Sequence, residues 1–183
     1  MLDFPRYRIQ PPTSDSMPAL CEILRPETGE QVGVVKAAPP GRLDRLLPRL
    51  LRRRQLEVRE YPEPALVFRI LWPMKLVDTG ARVCDALDDP VGYFSRTPNS
   101  RTDAFEIYLA RLVRLAFVSG SSFDPEFHFV TAKGQHLAQV SRPLLPSNMY
   151  WIVDMDDCLE HEPIIKMLLL AAVLVLALDN SEW

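Results

Sequence analysis

The chain has 183 residues, of which 48% are apolar and 25% are charged. This length and composition fit one packed domain over residues 1–183 and exclude a disordered protein. Because the formal net charge is −3, we expect no nucleic-acid partner, whose phosphates a basic surface would have to neutralise. The three cysteines are far apart and the first ten residues hold no long apolar run, so we expect a cytoplasmic protein without disulfides.

Four segments share one plan, in which two short apolar or β-branched runs flank a turn. They are residues 19–36, 55–71, 81–96 and 126–143. Gly, Pro or Asp stands at each turn, and these residues supply the backbone angles or side-chain hydrogen bonds that reverse a chain. Each segment is therefore predicted to be a β-hairpin. Residues 105–110 and 112–119 favour a further pair of strands, with a helix as the alternative.

A basic segment, residues 42–54, lies between the first two hairpins. Its arginines stand against one acid, Asp44, and its leucines recur at helical spacing around Pro48. The arginines are Arg42, Arg45, Arg49, Arg52, Arg53 and Arg54. Clustered guanidinium groups attract anionic headgroups at about 1 kcal/mol per residue near a charged membrane, so the segment predicts lipid binding. The alternative is a loop or short helix that packs its leucines on the domain and leaves its arginines in water.

An acidic cluster precedes the C-terminal apolar run. Asp154, Asp156 and Asp157 offer the hard oxygen ligands that Ca²⁺ requires, and they form a candidate metal site. However, Cys158 and Leu159 stand where a calcium loop would need a third oxygen ligand and a turn glycine. Helix capping and solvation are the favoured roles, and we expect no other cofactor.

The remaining reactive residues form no recognisable catalytic set. His128 and His136 lie on opposite arms of one predicted hairpin, but no carboxylate stands at a fixed spacing to them, so structural roles are expected. Cys84 has no histidine partner in the sequence. We therefore expect a protein that is not an enzyme.

The C-terminal run begins at Pro163 and predicts a helix. Proline suits a first helical turn, Glu160 and Glu162 suit the positive end of the helix dipole, and Asn180 suits the C-terminal cap. Residues 167–178 are all apolar, and a helix without a polar face must be buried on every side. The run from Ile164 spans about 22 Å, which is short of the about 30 Å of a bilayer core. A core helix surrounded by sheet is predicted, with a membrane tail as the alternative.

The order of hairpins, a D-x-D segment and a terminal apolar helix resembles the Tubby C-terminal-like superfamily, especially its phospholipid scramblase-like and LURP-one-related branches. The matching residues are the strand–turn–strand unit 83–94, Asp154-Met155-Asp156 and the helix 167–178, within a core of about 20–178. The resemblance implies a mainly β fold, a closed antiparallel barrel of about 12 strands around the central hydrophobic helix. Tubby-like members bind phosphoinositides through a basic surface, and scramblase-like members are linked to membranes and calcium.

These patterns predict a non-enzymatic binding module that contacts an anionic membrane surface or a protein partner through residues 42–54. Its expected location is the cytoplasm, including the periphery of a membrane. Two alternatives stay open, namely an enzyme with a site in the barrel mouth and a tail-anchored membrane protein. The oligomeric state is left undetermined by the sequence.

Overall fold

The computed structural model describes residues 1–12, 19–39, 54–72, 80–97, 104–119, 124–143 and 150–179. Within these ranges the chain forms twelve strands, a 3₁₀ turn (Asp157–Leu159) and one helix, α1 (Pro163–Asp179). The strands are β1 (Arg6–Gln10), β2 (Ala19–Leu24), β3 (Gln31–Ala37), β4 (Arg54–Glu60), β5 (Leu66–Trp72), β6 (Arg82–Asp85), β7 (Pro90–Thr97), β8 (Ala104–Leu109), β9 (Arg114–Ser119), β10 (Glu126–Val130), β11 (His136–Ser141) and β12 (Trp151–Met155).

The strands form a closed antiparallel barrel in which each strand pairs with its neighbours in sequence. The barrel closes because β1 pairs with both β2 and β12, with Tyr7 opposite Val153 and Ile9 opposite Ile23. Closure satisfies the backbone donors and acceptors that an open sheet would leave at its edges. The predicted fold class, mainly β with about 12 strands in a closed barrel, is confirmed.

The four predicted hairpins are confirmed as β2–β3, β4–β5, β6–β7 and β10–β11, and residues 105–119 hold strands rather than the alternative helix. Alternation along the strands decides which side chains face inward. In β4, for example, Leu56 and Val58 are buried, while Glu57 and Arg59 form an ion pair with each other on the outer face. Apolar side chains thus alternate along the strand with charged ones, so that the first face the core and the second face the surface.

Helix α1 fills the centre of the barrel. Every side chain from Lys166 to Ala177 is buried, and those from Leu168 to Leu174 are 0% exposed. Strand residues such as Phe68, Phe94 and Phe129 belong to the same core cluster. The helix begins at Pro163 as predicted, whereas Asn180 lies outside the described residues. The apolar run therefore finds its surroundings inside its own chain, and no helix within the described ranges has the length and hydropathy of a bilayer span.

The fit between helix and barrel is tight at Gly92 in β7. A Cβ atom added there would meet the Tyr108 carbonyl oxygen and would lie 2.8 Å from Cδ2 of Leu168 in α1. Such contacts are closer than packed atoms tolerate. Leu168 therefore occupies the space that a side chain at position 92 would need.

The barrel has two different ends, because antiparallel strands send alternate connections to opposite sides. The turn end carries residues 1–5, 25–30, 61–65, 86–89, 110–113, 131–135 and 156–162. At the opposite end, named the loop end, lie the strand ends that flank residues 11–18, 38–53, 73–81, 98–103, 120–125 and 142–150. Helix α1 follows β12 from the turn end, so Pro163 lies near that end and Asp179 lies towards the loop end.

Candidate functional site

The basic segment predicted to bind lipid starts and returns at the loop end. Residues 42–53 lie outside the described residues, and only the backbone of Arg54, the first residue of β4, is described. On the described side, the Ala38 amide donates to the Gln55 carbonyl at 2.8 Å, and Ala37 lies opposite Leu56. The lipid-binding assignment of Arg42, Arg45, Arg49, Arg52, Arg53 and Arg54 stays a prediction, but its place at one end of the barrel follows from the strands that flank it.

The opposite, turn end is acidic. Its acids are Asp3, Glu27, Glu30, Glu63, Asp88, Asp89, Asp156, Asp157, Glu160 and Glu162, and its bases outside the histidines and the N-terminus are Arg25, Arg111 and Lys133. Most of these side chains are exposed. Their negative field would repel an anionic surface. The described strands that flank the basic segment, β3 and β4, meet it at the other end of the barrel.

The candidate calcium ligands have separate structural partners. Asp154 lies in β12 and accepts a hydrogen bond from the Arg6 guanidinium at 2.7 Å. Asp156 caps the 3₁₀ turn, accepting the Cys158 amide at 2.9 Å, and Asp157 is exposed. In the part of the chain that the structure describes, no three His, Cys, Asp or Glu residues are arranged to hold a metal ion. Asp156 therefore caps this 3₁₀ turn and not α1, and calcium binding stays an untested prediction.

The capping hydrogen bond also has an electrostatic consequence. The Cys158 amide and thiol, followed by nearby His136, hold the pKa of the Asp156 carboxyl below its ordinary value because they favour the charged form. Beside it, the Asp156 carbonyl accepts the Leu159 amide at 3.0 Å, and the Leu159 side chain is buried. Asp156 therefore helps to fix the turn that leads from β12 into α1.

The three cysteines lack the environment of a nucleophile. Burial, followed by the charge of Glu22, raises the pKa of the Cys21 thiol to about 12. Burial also raises the pKa of Cys84, and the hydrogen bond with Asp156 raises that of Cys158. A catalytic thiol needs a lowered pKa so that thiolate is present at neutral pH. Cys158 is the exposed thiol of the three and contacts Gln135 Nε2 at 3.5 Å.

In the structure the side chains of His128 and His136 are in contact, whereas the sequence predicted separate structural roles for them. Both point outward from the β10–β11 hairpin, and His128 Nδ1 lies 3.0 Å from His136 Nε2. The outer nitrogens each face a carboxylate, with His128 Nε2 3.7 Å from Glu126 Oε1 and His136 Nδ1 3.8 Å from Asp156 Oδ2. About two-fifths of each histidine side chain is exposed. These four residues, named here the histidine pair and its carboxylates, form a polar cluster on the outer face of the barrel at the β10–β11 hairpin.

A β-bulge explains why sequence spacing did not reveal this cluster. Phe129 lies opposite Ala138, but the next pair is Val130 with His136, so Leu137 is the extra residue. The bulge turns both Leu137 and Ala138 inward and keeps His136 on the outer face. The placement of the two histidines on opposite arms of the hairpin that turns at Gly134 was the available signal. Asp156 joins the cluster because β12, the strand that it follows, pairs with β11.

Comparison with known proteins gives one structural likeness. No family model matches the chain, and no curated protein matches it in sequence. The X-ray structure of a protein from Arabidopsis thaliana is similar over 98% of this chain and 97% of that chain, with a TM-score of 0.59 and 13% sequence identity. The two proteins share a fold. At this identity the likeness concerns the twelve-stranded barrel with its enclosed helix, which it covers almost from end to end.

Proposed function

We propose that the protein is a non-enzymatic binding module that lies on an anionic phospholipid surface with its loop end, through residues 42–54. The observation that supports it is the charge difference between the two ends of the barrel. The basic connection leaves one end, between Ala37 and Arg54, and the acids gather at the other. An anionic surface would attract the first end and repel the second, which orients the barrel axis towards the membrane.

The filled interior also supports a surface module. Side chains of α1 occupy the space that other barrels use for ligands, and Leu168 reaches as far as the Gly92 backbone. At the turn end, Leu159 and Met155 are buried in the mouth. A ligand would therefore meet the outside of the barrel or its connections, which favours a binding surface over an enzyme with a site in the mouth.

We also infer kinship with the Tubby C-terminal-like superfamily, in its scramblase-like and LURP-one-related branch. The strand order, the central helix and the Asp154-Met155-Asp156 segment leading into it support this assignment. Phosphoinositide or phosphatidylserine headgroups are then the expected ligands, and the cytoplasmic face of a membrane is the expected location.

Vesicle flotation tests the proposal. The full chain should float with phosphatidylcholine vesicles that contain phosphatidylserine or a phosphoinositide, and it should stay behind with phosphatidylcholine alone. Because contacts between charged surfaces are screened by salt, the floated fraction should fall as salt rises from low to physiological strength and beyond. The two anionic lipids distinguish general charge attraction from headgroup recognition.

A charge-matched pair of variants locates the contact. Arg45→Gln with Arg49→Gln removes two charges from the loop end and should reduce flotation. Arg111→Gln with Lys133→Gln removes two charges from exposed positions at the turn end and should leave it unchanged. Equal losses in both would mean that net charge alone is responsible. Absence of flotation at low salt would exclude lipid as the ligand, and the basic segment would then be assigned to an acidic protein partner.

A further inference from the structure

The histidine pair carries an inference that does not depend on lipid binding. The contact between its rings is a single N···N distance of 3.0 Å, across the outer face of the β10–β11 hairpin. The bulge at Leu137 fixes the relative position of the two strands at this point, and the Thr131–Gln135 turn is closed by two hydrogen bonds of Thr131 with Gln135. The backbone therefore holds the two rings together through a short and well-bonded hairpin.

The number of N–H groups on the two imidazole rings limits which hydrogen bonds the pair can make. Two neutral imidazoles carry one N–H each, and a carboxylate can only accept. The contact between the rings needs one N–H, while Glu126 and Asp156 lie 3.7 and 3.8 Å from the outer nitrogens, just beyond hydrogen-bond distance. A neutral pair therefore leaves one nitrogen lone pair turned towards a carboxylate. A cation bound by the lone pairs of both inner nitrogens would leave both N–H groups on the outer nitrogens, directed at the carboxylates.

We propose that His128 Nδ1 and His136 Nε2 form a two-imidazole site for a divalent transition metal ion, such as Zn²⁺, Ni²⁺ or Cu²⁺. With metal–nitrogen bonds of about 2.0–2.1 Å, two ligands on adjacent positions lie about 2.9–3.4 Å apart, for angles between square and tetrahedral. The observed separation of 3.0 Å falls in this range, and this separation is the geometric basis of the proposal. Imidazole nitrogen selects these metals over Ca²⁺ and Mg²⁺.

The carboxylates act as outer partners rather than ligands. Glu126 and Asp156 face the nitrogens that point away from the proposed ion, an arrangement that fixes the tautomer and raises the basicity of a metal-bound histidine. The partial exposure of both rings leaves the other coordination positions to water. A site with two protein ligands binds more weakly than a closed three- or four-ligand centre, and its affinity should follow the order in which Cu²⁺ exceeds Ni²⁺ and Zn²⁺.

Calorimetric titration of the full chain, without a histidine tag, tests the proposal with Zn²⁺, Ni²⁺ and Cu²⁺ in turn. One ion per chain is expected, and Ca²⁺ should give no heat at this site. His128→Gln and His136→Gln should each remove binding. Glu126→Gln should weaken it by about 10–100-fold, as loss of an outer partner does. His161→Gln is the matched control, since His161 is exposed and separate from the pair, and it should leave binding unchanged.

A second measurement on the unaltered chain does not depend on how the variants fold. Paramagnetic Cu²⁺ should broaden the imidazole proton resonances of His128 and His136 at an equivalent at which those of His161 stay sharp. The proposal is wrong if the chain takes up no metal stoichiometrically, in which case a shared proton fills the gap between the rings. It is also wrong if Cys158→Ser removes binding and the histidine variants do not, because the ion would then belong to the thiol.

Discussion

The turn end and the loop end of the barrel are built by different means. At the turn end, short connections close on their own hydrogen bonds; Asp85 Oδ1, for example, accepts the amides of Leu87 and Asp89 at 2.8 and 2.9 Å. At the loop end the strands are separated by longer stretches of sequence, and the stretch between β3 and β4 includes Arg42, Arg45, Arg49, Arg52 and Arg53. Hydrogen bonds between sequence neighbours therefore determine the turn end, whereas the longer stretches at the loop end can vary in sequence without disturbing the strands.

Helix α1 runs between the two ends. Shortening single side chains within it tests whether the two ends of the barrel fold together. Leu169, nearer the turn end, and Leu176, nearer the loop end, are both buried. Leu169→Ala and Leu176→Ala should each lower the free energy of unfolding by about 2–5 kcal/mol, because each leaves a cavity in the core. Urea unfolding followed by circular dichroism should show one transition in both.

The control for the helix is Leu87→Ala, since Leu87 is 82% exposed at the turn end. It should change the free energy of unfolding by less than about 0.5 kcal/mol. Two separate transitions in either helix variant would show instead that the ends are independent cooperative units.

The tight contact at Gly92 offers a smaller perturbation on the turn-end half of the helix. Gly92→Ala should lower the free energy of unfolding by about 1–3 kcal/mol, because the new methyl group overlaps Leu168 and the Tyr108 carbonyl. In a double-mutant cycle with Leu168→Ala, part of this loss should be recovered. Simple additivity of the two changes would contradict the packing of Leu168 in the space beside Gly92.

Acid unfolding distinguishes a specific bond at the turn end from its general negative charge. The pKa of Asp156 is lowered by folding, so its carboxylate stabilises the protein above its ordinary range near 3.8, and this stabilisation is lost as pH falls through the lower folded value. Asp156→Asn should therefore make the free energy of unfolding fall less steeply below about pH 4. Urea midpoints across the acid range measure it. If Asp157→Asn, one residue further on, has the same effect, the cap hydrogen bond is not the cause.

The smallest expected effect is a gain in stability at the β8–β9 turn. Leu112 is 72% exposed and has a φ of 63°, a left-handed conformation that strains a branched side chain. Leu112→Gly should raise the free energy of unfolding by up to about 1 kcal/mol. Gly134→Ala should do the reverse at the β10–β11 turn, where φ is 78° and a Cβ atom meets nothing within 4 Å. Thermal melting of both variants checks the two signs.

The sequence predicted the hairpins and the helix well but missed the strands that close the barrel. β1 and β12 each have five residues and show little beyond alternation, and Arg6 lies 148 positions from its partner Asp154. Residues 154–157 were interpreted through their charge, which hid the strand that Asp154 belongs to. Local patterns specify turns and faces, but they hold no information on which distant segment completes a sheet.

The candidate sites divide in the same way. The charge of residues 42–54 is evident from composition, whereas the meeting of His128 with His136 depends on a bulge, and the approach of Asp156 depends on the neighbouring strand. A side chain's partner across a sheet changes with a register shift of one residue. Sequence spacing alone could therefore name these residues without joining them.

By itself the sequence determined that residues 167–178 must be enclosed, since a helix without a polar face is stable only where every side is apolar. Local turn chemistry also determined where most strands reverse. Tertiary structure alone decided that β1 closes the ring against β12, that Gly92 makes room for Leu168, and that two histidines meet between two carboxylates. The first two features depend on distances between segments far apart in the chain, which only the packed barrel around α1 sets. The third depends on the bulge in the β10–β11 hairpin and on the neighbouring strand β12.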